Sequence, residues 1–490
     1  MTGDLVLVID AGTTSTRALL FDRTGRCHAV SQREFAQFYP EPGRVEHDAA
    51  EIWTATLACM RQAAGQVGAE RIASIGVTNQ RETVVAWDRI GGEPLARAIV
   101  WQDRRTAPLC EKLRSEGAEP LVQAHTGLLL DPYFSGTKMR WLLDDEPAAA
   151  QAAREGRLAL GTVESWLVWK LTGGSAHVTD ASNASRTLLL ALDGADWDDD
   201  LLALFGVPRA ALPQVVDSLG EFGTALPEWL GVGIPVRGLA GDQQAATIGQ
   251  GCLAAGQVKA TYGTGAFVLA TMGDAVPRSG HRLLGTVLMQ QAGRRSYALE
   301  GSVFVAGSLI KWLRDSMGLI ASADETAALA SSVPDSGSVV LVPALSGLGA
   351  PHWRPDATAA LSGMTFATTR AHIARAALEA MAHQTHDLMA AFAADRAPWS
   401  TLRIDGGMSS NDWMAQDLAD LLNLPVERPA MVETTALGAG MLAATASGWF
   451  ASLDEAATAM RGPLTRFEPQ MPQSVRDARI ARWELALGKV

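Results

Sequence analysis

The feature that most constrains this chain is a short turn of Gly and Thr residues between two apolar strands, and it occurs twice. The first copy is DAGTTSTR at residues 10–17, between apolar segments at 5–9 and 18–21. The second copy is TYGTGA at residues 261–266, followed by the apolar segment 267–270. Such a turn points several backbone N–H groups and small hydroxyls to one side, which makes a binding site for phosphate oxygens. Two copies predict two related halves that hold one polyphosphate between them.

The length of the chain and the position of its turns fit two halves. At 490 residues the chain is too long for one ordinary hydrophobic core, so two large domains are expected. Predicted strands and helices alternate throughout, which favours an α/β fold. Residues 233–241 mix Gly, Pro and short apolar runs shortly before the second turn. We therefore expect a first domain over residues 1–249 and a second over 250–490.

Charge and cysteine content narrow the expected partners. The formal net charge is −12, whereas nucleic acids and anionic membranes attract basic surfaces, so neither is expected as a partner. The N-terminus lacks the basic start of a signal peptide, and no apolar run is long enough to span a bilayer. The four cysteines are scattered without a C-x-x-C pair, as is typical of a reducing cytoplasm. We expect a cytoplasmic protein without stable membrane association.

Two carboxylates beside the Gly/Thr turns could serve phosphate chemistry. Asp10 could tether the backbone N–H groups of the first turn, or it could be a partner of Mg²⁺ beside bound phosphates. The second turn favours the metal role, because ATP chemistry needs a carboxylate near its metal. Asp242 follows Gly241 at a helix start, either as the helix cap or as a base facing a ligand hydroxyl. As a base, Asp242 does not need a raised pKa. In the loose transition state of phosphoryl transfer, the attacking hydroxyl loses its proton late.

A group of charged and aromatic residues lies in the first half. Arg81 and Glu82 are neighbours just after an apolar segment at 72–77, and they could form only a surface ion pair of small value. Trp101 begins the polar segment WQDRR at 101–105. Aromatic rings pack against the C–H face of a polyol while charged and amide groups bind its hydroxyls. The group therefore also suits a polyol-binding site.

Two features of the second half have structural explanations. The apolar-striped helix predicted over residues 371–392 places His383 and His386 at i, i+3. A metal pair is one interpretation, but without a third ligand a solvated or capping role is favoured. Gly438 and Gly440 lie within a predicted helix, which indicates close helix packing rather than a dinucleotide-binding loop.

A strand, a double glycine and a helix start also follow one another in the second half. The short strand at 402–404 leads into DGG at 405–407, and Ser409, Ser410 or Asn411 can cap the next helix. The N–H groups at a helix start favour anions. This segment therefore suits the sugar and phosphates of a nucleotide. A P-loop is excluded as the phosphate site because G-x-x-x-x-G-K-[ST] does not occur.

Together these motifs resemble the FGGY carbohydrate kinases over essentially the whole chain, and among them the members that act on glycerol. The resemblance rests on the two Gly/Thr turns and on NQRET at 79–83, WQDRR at 101–105, DPYFSGTK at 131–138, GDQQAA at 241–246, GLGAP at 347–351 and DGG at 405–407. The turns alone would indicate only a wider superfamily of sugar kinases, heat-shock chaperones and actin. The segments NQRET and WQDRR narrow the resemblance to the members that act on glycerol.

The resemblance implies two domains of ribonuclease H-like α/β fold with a deep cleft between them. It implies transfer of the γ-phosphoryl group of ATP to glycerol, giving sn-glycerol 3-phosphate, with Mg²⁺ as cofactor. It also implies a homo-oligomer, either a dimer or a tetramer. These expectations concern the family and are carried over only where the motifs match.

The resemblance also implies roles for residues at matching motif positions. The acceptor site would comprise Arg81, Glu82, Trp101, Tyr133, Asp242, Gln243 and Phe267. Asp242 would be the catalytic base, and Asp10 and Asp242 would support the metal. Phosphates and nucleotide would contact Thr13, Thr14, Ser15, Arg17, Thr264, Gly307, Lys311, Gly407 and Asn411. Phe267 would reach across the cleft to cover the glycerol.

Arg81 and Glu82 place a geometric condition on this assignment. Adjacent residues of a strand point to opposite faces of the sheet. Both side chains can therefore reach one small ligand only if the chain has left regular strand geometry before it reaches them. Regular strand geometry at these two positions would exclude a shared ligand.

The chain departs from the family pattern near the nucleotide, and alternative functions stay open. Lys311 stands where Gln is common, and Met408 follows the double glycine where Ala is usual. Kinases of this family that act on erythritol, dihydroxyacetone or a ketopentose would share the motifs, because residues outside the motifs can tune the pocket. A chaperone or assembly ATPase of the same superfamily is a further alternative, which the polar and aromatic group around Arg81 disfavours.

The loop LPEWLGVGIP at 226–235 predicts the response to one effector. Regulated bacterial members that act on glycerol carry here a longer Gly-Gly-x-x-x-Arg loop that binds fructose 1,6-bisphosphate. The loop of this chain is shorter and contains no Arg, so we expect turnover to be insensitive to this sugar bisphosphate. Initial rates measured with increasing effector test this, and strong inhibition at low-millimolar concentration would contradict it.

Overall fold

The computed structural model describes residues 3–431 and 433–490, in which strands and helices alternate. The strands are β1 (Leu5–Ala11), β2 (Ser15–Phe21), β3 (Cys27–Glu34), β4 (Gln37–Phe38), β5 (Glu46–His47), β6 (Ile72–Asn79), β7 (Val84–Asp88), β8 (Ala98–Ile99), β9 (Leu158–Thr162), β10 (Val178–Asp180), β11 (Gln214–Val216), β12 (Thr224–Ala225), β13 (Ile234–Gly241), β14 (Gln257–Tyr262), β15 (Ala266–Gly273), β16 (Leu284–Gln291), β17 (Arg294–Val303), β18 (Val340–Val342), β19 (Ala360–Ser362), β20 (Thr401–Asp405), β21 (Val426–Pro429) and β22 (Leu464–Phe467). The helices are α1 (Ala49–Val67), α2 (Ala107–Ser115), α3 (Glu119–Thr126), α4 (Ser135–Asp145), α5 (Pro147–Arg154), α6 (Val163–Leu171), α7 (Ala181–Ala184), α8 (Asp199–Phe205), α9 (Pro227–Leu230), α10 (Asp242–Gly249), α11 (Gly307–Asp315), α12 (Glu325–Ser331), α13 (Arg370–Ala394), α14 (Asp412–Leu422), α15 (Thr434–Ala446), α16 (Leu453–Met460) and α17 (Gln473–Leu487).

The first half is built on a six-stranded sheet in the order β12-β13-β6-β1-β2-β3. Strand β1 pairs antiparallel with β2, which pairs antiparallel with β3. On its other side β1 pairs parallel with β6, and β6 pairs parallel with β13. The first Gly/Thr turn joins β1 to β2, so it lies at the edge of the sheet where the parallel strands β1, β6 and β13 end.

The second half repeats this arrangement in a seven-stranded sheet, in the order β16-β17-β15-β14-β20-β21-β22. Here β14 pairs antiparallel with β15 and parallel with β20, just as β1 pairs with β2 and β6. Strand β15 pairs antiparallel with β17, and β20 pairs parallel with β21. The prediction of two related halves is therefore confirmed, and the architecture is a two-domain α/β fold.

A smaller sheet, β4-β5-β8-β7-β9, is inserted within the first half. Its strands β4 and β5 precede β6, and the chain returns to it directly after β6, because β7 starts five residues beyond the end of β6. Residues 80–83 therefore form the short link between the main sheet and the inserted sheet. Helices α2 to α5 and the loop at 131–134 pack around this insertion in a common apolar core. The insertion brings aromatic side chains next to the edge of the main sheet.

Helix α15 ties the second half of the chain to the sheet of the first half. Its backbone approaches so closely that a Cβ on Gly76 would lie 2.5 Å from the carbonyl oxygen of Ala439. A Cβ on Gly438 would lie 1.8 Å from the carbonyl oxygen of Ala245 in α10. The prediction that Gly438 serves close helix packing is therefore confirmed. Helix α15 packs in one core with α10, α16 and strands β1 and β2.

His383 of α13 does not behave as the sequence suggested. His383 is buried, and its ring stacks on Trp483 with ring centroids 5.1 Å apart and an angle of 6° between the planes. Burial lowers the pKa of His383 well below its usual value. The favoured solvated or capping role is wrong for His383, because α17 covers this face of α13. Within the described ranges, no group of three or more His, Cys, Asp or Glu side chains could hold a metal.

One further property concerns membranes. Of the helices in the described part of the chain, none combines the length and hydropathy needed to cross a bilayer.

Gly438→Ala should weaken the contact between α10 and α15. The new Cβ would collide with a backbone oxygen, which cannot rotate away as a side chain can. Overpacking of this kind costs about 1–3 kcal/mol and sometimes more. We expect a clear fall in the midpoint of chemical unfolding.

Gly440→Ala is the matched control for this change. It lies in the same helix and gains the same helix propensity, and its Cβ would meet only side-chain atoms, the nearest being those of Val8 at 3.3 Å and Phe21 at 3.5 Å. Equal unfolding midpoints for the two variants would contradict the packing account.

Candidate active site

The first Gly/Thr turn is closed by a backbone bond and braced by an ion pair. The N–H of Gly12 donates to the carbonyl oxygen of Ser15 at 3.0 Å. Arg17 stands opposite Asp10 in the β1–β2 pair, and their side chains meet at 2.5 Å. The same guanidinium contacts Glu433, just before α15, also at 2.5 Å. Burial raises the pKa of Asp10, and the Arg17 guanidinium opposes this shift.

The second turn is fixed to the start of α11. Gly263 N–H donates to the carbonyl oxygen of Gly265 at 2.9 Å, so a backbone bond also closes this turn, which is one residue tighter than the first. The carbonyl oxygen of Gly263 accepts from Gly307 N–H at 2.8 Å. Thr264 is exposed at the tip of the turn, and Lys311 is exposed one helical turn beyond Gly307. Thr264, Gly307 and Lys311 thus occur on one continuous, partly open surface.

The DGG segment lies at the same end of the second sheet. Asp405 pairs with Thr261 at the ends of the parallel strands β20 and β14. Gly406 has φ +85°, and a Cβ there would lie 2.5 Å from the backbone oxygen of Tyr262. Asn411 caps α14 by accepting from the N–H of Met414 at 3.1 Å, so the predicted cap is confirmed. Gly407 is exposed beside this helix start.

The link between β6 and β7 brings Arg81 and Glu82 to one place. Strand β6 ends at Asn79, and Glu82 has φ +60°, so the chain has left strand geometry as the assignment requires. Arg81 and Glu82 are only 3% and 1% exposed, which rules out a surface ion pair. The Nε of Arg81 lies 3.9 Å from Glu82 Oε1 and 3.3 Å from Asp242 Oδ1. These three side chains therefore form one cluster.

Aromatic residues of the insertion stand beside this cluster and beside the first turn. The indole N–H of Trp101 donates to Thr13 Oγ1 at 3.0 Å. The rings of Trp101 and Tyr133 meet edge to face, with centroids 5.7 Å apart. Lys138 holds the loop of Tyr133 by donating to its carbonyl oxygen at 2.7 Å. Trp101 thus connects the aromatic group with the first Gly/Thr turn.

Asp242 is the first residue of α10, and Gly241 occupies the cap position, so Asp242 is not the cap. Its side chain is 32% exposed, and Oδ1 accepts from the N–H of Gln243 at 2.7 Å. Loss of water around the carboxylate raises the pKa of Asp242 to about 6, against the opposing charge of Arg81. Most of this carboxylate is ionised at neutral pH, and its raised pKa helps it to accept a proton.

Sequence reasoning missed a buried carboxylate that faces this cluster from the second sheet. Glu300 on β17 is fully buried and accepts from Arg81 Nη1 at 2.6 Å and Nη2 at 3.0 Å. Arg186, also missed, donates to Glu300 at 3.3 Å and to Glu82 at 2.6 Å. Burial would raise the pKa of Glu300, but Arg186 and Arg81 outweigh it and hold this pKa at about 2.

The strand register explains which face of the second sheet meets the cluster. Lys259, Leu269 and Glu300 are cross-strand neighbours on β14, β15 and β17. Phe267 pairs with Ser302, two residues from Glu300, so Phe267 lies on the same face as Glu300. Lys259, also fully buried, donates to Gln243 at 2.5 Å. A single Glu within the apolar strand segment ALEGSV at 298–303 is the sequence signal that could have revealed Glu300.

Asp10 and Asp242 fit a magnesium ion that is held largely by phosphates. Strands β1 and β13 both pair parallel with β6, so Asp10 and the start of α10 lie at the same edge of the first sheet. Mg²⁺ is usually bound by one or two carboxylates together with waters and substrate phosphates. Two carboxylates beside the first Gly/Thr turn satisfy that requirement.

Sequence models of one family match most of the chain. The N-terminal domain of the FGGY family of carbohydrate kinases matches residues 5–249, and its C-terminal domain matches residues 258–447.

Individual relatives agree with the family match. The chain is 56% identical over 486 residues to a glycerol kinase of Dechloromonas aromatica (strain RCB), covering 98% of this chain and 96% of that protein. It is 52% identical over 491 residues to a glycerol kinase of Bordetella parapertussis, covering 99% and 96%. The crystal structure of Plasmodium falciparum glycerol kinase with ADP superposes with a TM-score of 0.95 at 35% identity, covering 99% and 98%. A xylulose kinase of Rhodospirillum rubrum superposes with a TM-score of 0.86 at 25% identity, covering 99% and 98%.

Proposed function

The chain belongs to the FGGY family of carbohydrate kinases, and on that basis we propose that it transfers the γ-phosphoryl group of ATP to glycerol, giving sn-glycerol 3-phosphate. The observation that carries this proposal is the cluster of Arg81, Glu82 and Asp242 beside the rings of Trp101 and Tyr133. Relatives more than 50% identical over nearly the whole chain are glycerol kinases, which supports glycerol over other polyols.

The cluster offers complementary groups for a small polyol. Arg186 occupies Oε1 of Glu82, and no described residue bonds Oε2, which can accept a hydroxyl hydrogen. Arg81 retains Nε and one Nη2 hydrogen after bonding Glu300, so it can donate to a hydroxyl oxygen. Trp101 and Tyr133 offer an apolar wall for the carbon chain. Gln243 and Phe267 complete the proposed acceptor site from α10 and β15.

Positioning and electrostatics account for the reaction in this proposal. Asp242 takes the proton of the attacking hydroxyl as the bond to phosphorus forms, and its raised pKa suits that role. Closure of the two domains would bring the Gly/Thr turns together and exclude water, which would otherwise accept the phosphoryl group.

The nucleotide and its metal would lie between the two Gly/Thr turns. We propose that phosphates contact Thr13, Thr14, Ser15 and Arg17 on one side and Thr264 on the other, with Gly307, Lys311, Gly407 and Asn411 along the nucleotide. Asp10 and Asp242 would hold Mg²⁺. When bound, the metal would neutralise charge on the phosphate oxygens.

The proposal also covers the division into domains, the cellular location and the oligomeric state. The division into domains at residues 1–249 and 250–490 is supported by family matches that end at 249 and resume at 258. Helix α15 crosses this division by packing on the first sheet. We propose a cytoplasmic enzyme that forms a dimer or tetramer, in line with its family resemblance.

The test of the proposed function is ADP release over a panel of acceptors. The panel contains glycerol, erythritol, dihydroxyacetone, ketopentoses and a control without any acceptor. We expect glycerol to give by far the largest kcat/KM. A larger kcat/KM for another acceptor would indicate that the protein is a kinase of this family with a different substrate. Acceptor-independent ATP consumption would favour the chaperone-type ATPase.

Asp242→Asn should remove nearly all kinase turnover and reduce glycerol affinity much less. The amide keeps the size and one acceptor oxygen of the side chain, but it cannot take the hydroxyl proton. Loss of a positioned base typically costs about 10²–10⁴-fold in rate. Steady-state kcat together with glycerol binding by calorimetry measures both effects. Turnover near that of the unmodified protein would overturn Asp242 as the base.

A further inference from the structure

We propose that Glu300 is a positioning residue by which the second domain holds the acceptor site of the first domain in its binding geometry. This inference rests on the proposed glycerol kinase function and goes beyond the residues that the family resemblance assigns. Glu300 does not touch the acceptor in this account. It acts through Arg81 and Arg186.

The Glu300 carboxylate accepts hydrogen bonds from two guanidinium groups. Arg81 binds both carboxylate oxygens, at 2.6 and 3.0 Å, which fixes the plane of its guanidinium as well as its position. Arg186 binds Oε1 of the same carboxylate at 3.3 Å. Glu300 and Arg186 are fully buried, so water does not compete for these bonds.

Through these two arginines, Glu300 reaches three residues of the proposed acceptor site. Arg81 is itself one of them, and its Nε lies beside the Asp242 carboxylate at 3.3 Å. Arg186 donates to Glu82 at 2.6 Å. The Arg186 guanidinium also lies over the ring of Tyr133, 5.6 Å from its centroid. One carboxylate therefore supports Arg81, Glu82 and Tyr133.

The bonds of Glu300 to Arg81 and Arg186 connect the second sheet with the first half of the chain. Glu300 belongs to β17 of the second sheet, whereas Arg81 follows β6 of the first sheet and Arg186 follows α7. Without Glu300, the nearest carboxylate to Arg81 is that of Asp242, because Asp242 Oδ1 lies 3.3 Å from Arg81 Nε whereas Glu82 Oε1 lies 3.9 Å from it. Arg81 would then turn towards Asp242 and away from the acceptor hydroxyl. The expected defect is therefore in acceptor binding.

Glu300→Gln tests the proposal because the amide keeps the shape and removes the charge and one acceptor oxygen. We expect KM for glycerol to rise by about tenfold or more, since a buried two-fold bond to Arg81 is lost. We expect KM for ATP to change by less than about twofold, because no nucleotide-site residue contacts Glu300. Glu300→Asp keeps the charge at a shorter reach and should raise KM for glycerol by an intermediate factor.

Glu427→Gln is the matched control. Glu427 lies in the same sheet, is buried, and bridges Arg403 and Arg466 away from the acceptor cluster. This variant should lose stability without a change in KM for glycerol. Equal changes in KM for glycerol in the Glu300→Gln and Glu427→Gln variants would show a general structural effect and overturn the proposal.

A double variant tests whether Glu300 acts through Arg81. If it does, adding Glu300→Gln to Arg81→Gln should raise KM for glycerol much less than adding it to the unmodified protein. Full additivity of the two effects would overturn the proposal. If the unmodified protein lacks glycerol-dependent ADP release, the proposed function fails. If it has that activity but Glu300→Gln leaves KM for glycerol unchanged, only the role of Glu300 fails.

Discussion

A carboxylate buried between two guanidinium groups is the interaction on which the proposed acceptor site depends. Removing charges from water costs several kcal/mol per ion, and only close, well-directed partners offset that cost. The Glu300 carboxylate has such partners in Arg81 and Arg186, at 2.6–3.3 Å. Deleting one member would leave the others buried without compensation. The cluster therefore holds together as a unit and fixes the neighbouring side chains of Glu82 and Tyr133.

The fold explains why these charges come from distant parts of the chain. In each half, the parallel strands end at the edge of the sheet that carries a Gly/Thr turn. The link from β6 to the smaller sheet leaves the first half at this same edge. One face of the second sheet is apolar and packs on α13, whereas the other carries Lys259 and Glu300. This polar face meets the link at residues 80–83. The Gly/Thr turns and the side chains of the proposed acceptor site are thus neighbours because of the topology.

Local patterns in the sequence were sufficient to predict the duplicated domains, the Asn411 cap and the close packing at Gly438. Each of these depends on residues near one another in the chain or on the small size of glycine. Motif matching supplied the proposed acceptor residues, and the link after β6 has the irregular geometry that Arg81 and Glu82 require.

Glu300 was not predicted because its role depends on a partner 219 positions away. In the sequence, Glu300 is one charge in an apolar strand, a pattern that also fits a solvent-facing position. Likewise, His383 fits a solvated helix position until α17 is seen to cover it with Trp483. Burial of a single polar residue is a property of tertiary packing, and periodicity along one element does not reveal it.

We infer that the protein itself holds the proposed acceptor residues in place before any nucleotide binds. Calorimetric titration of the unmodified protein with glycerol, in the absence of nucleotide, tests this claim most directly. The account predicts saturable binding at one site per chain, because Arg81, Glu82 and Asp242 already lie together. Absence of glycerol binding until ATP or ADP is added would contradict it.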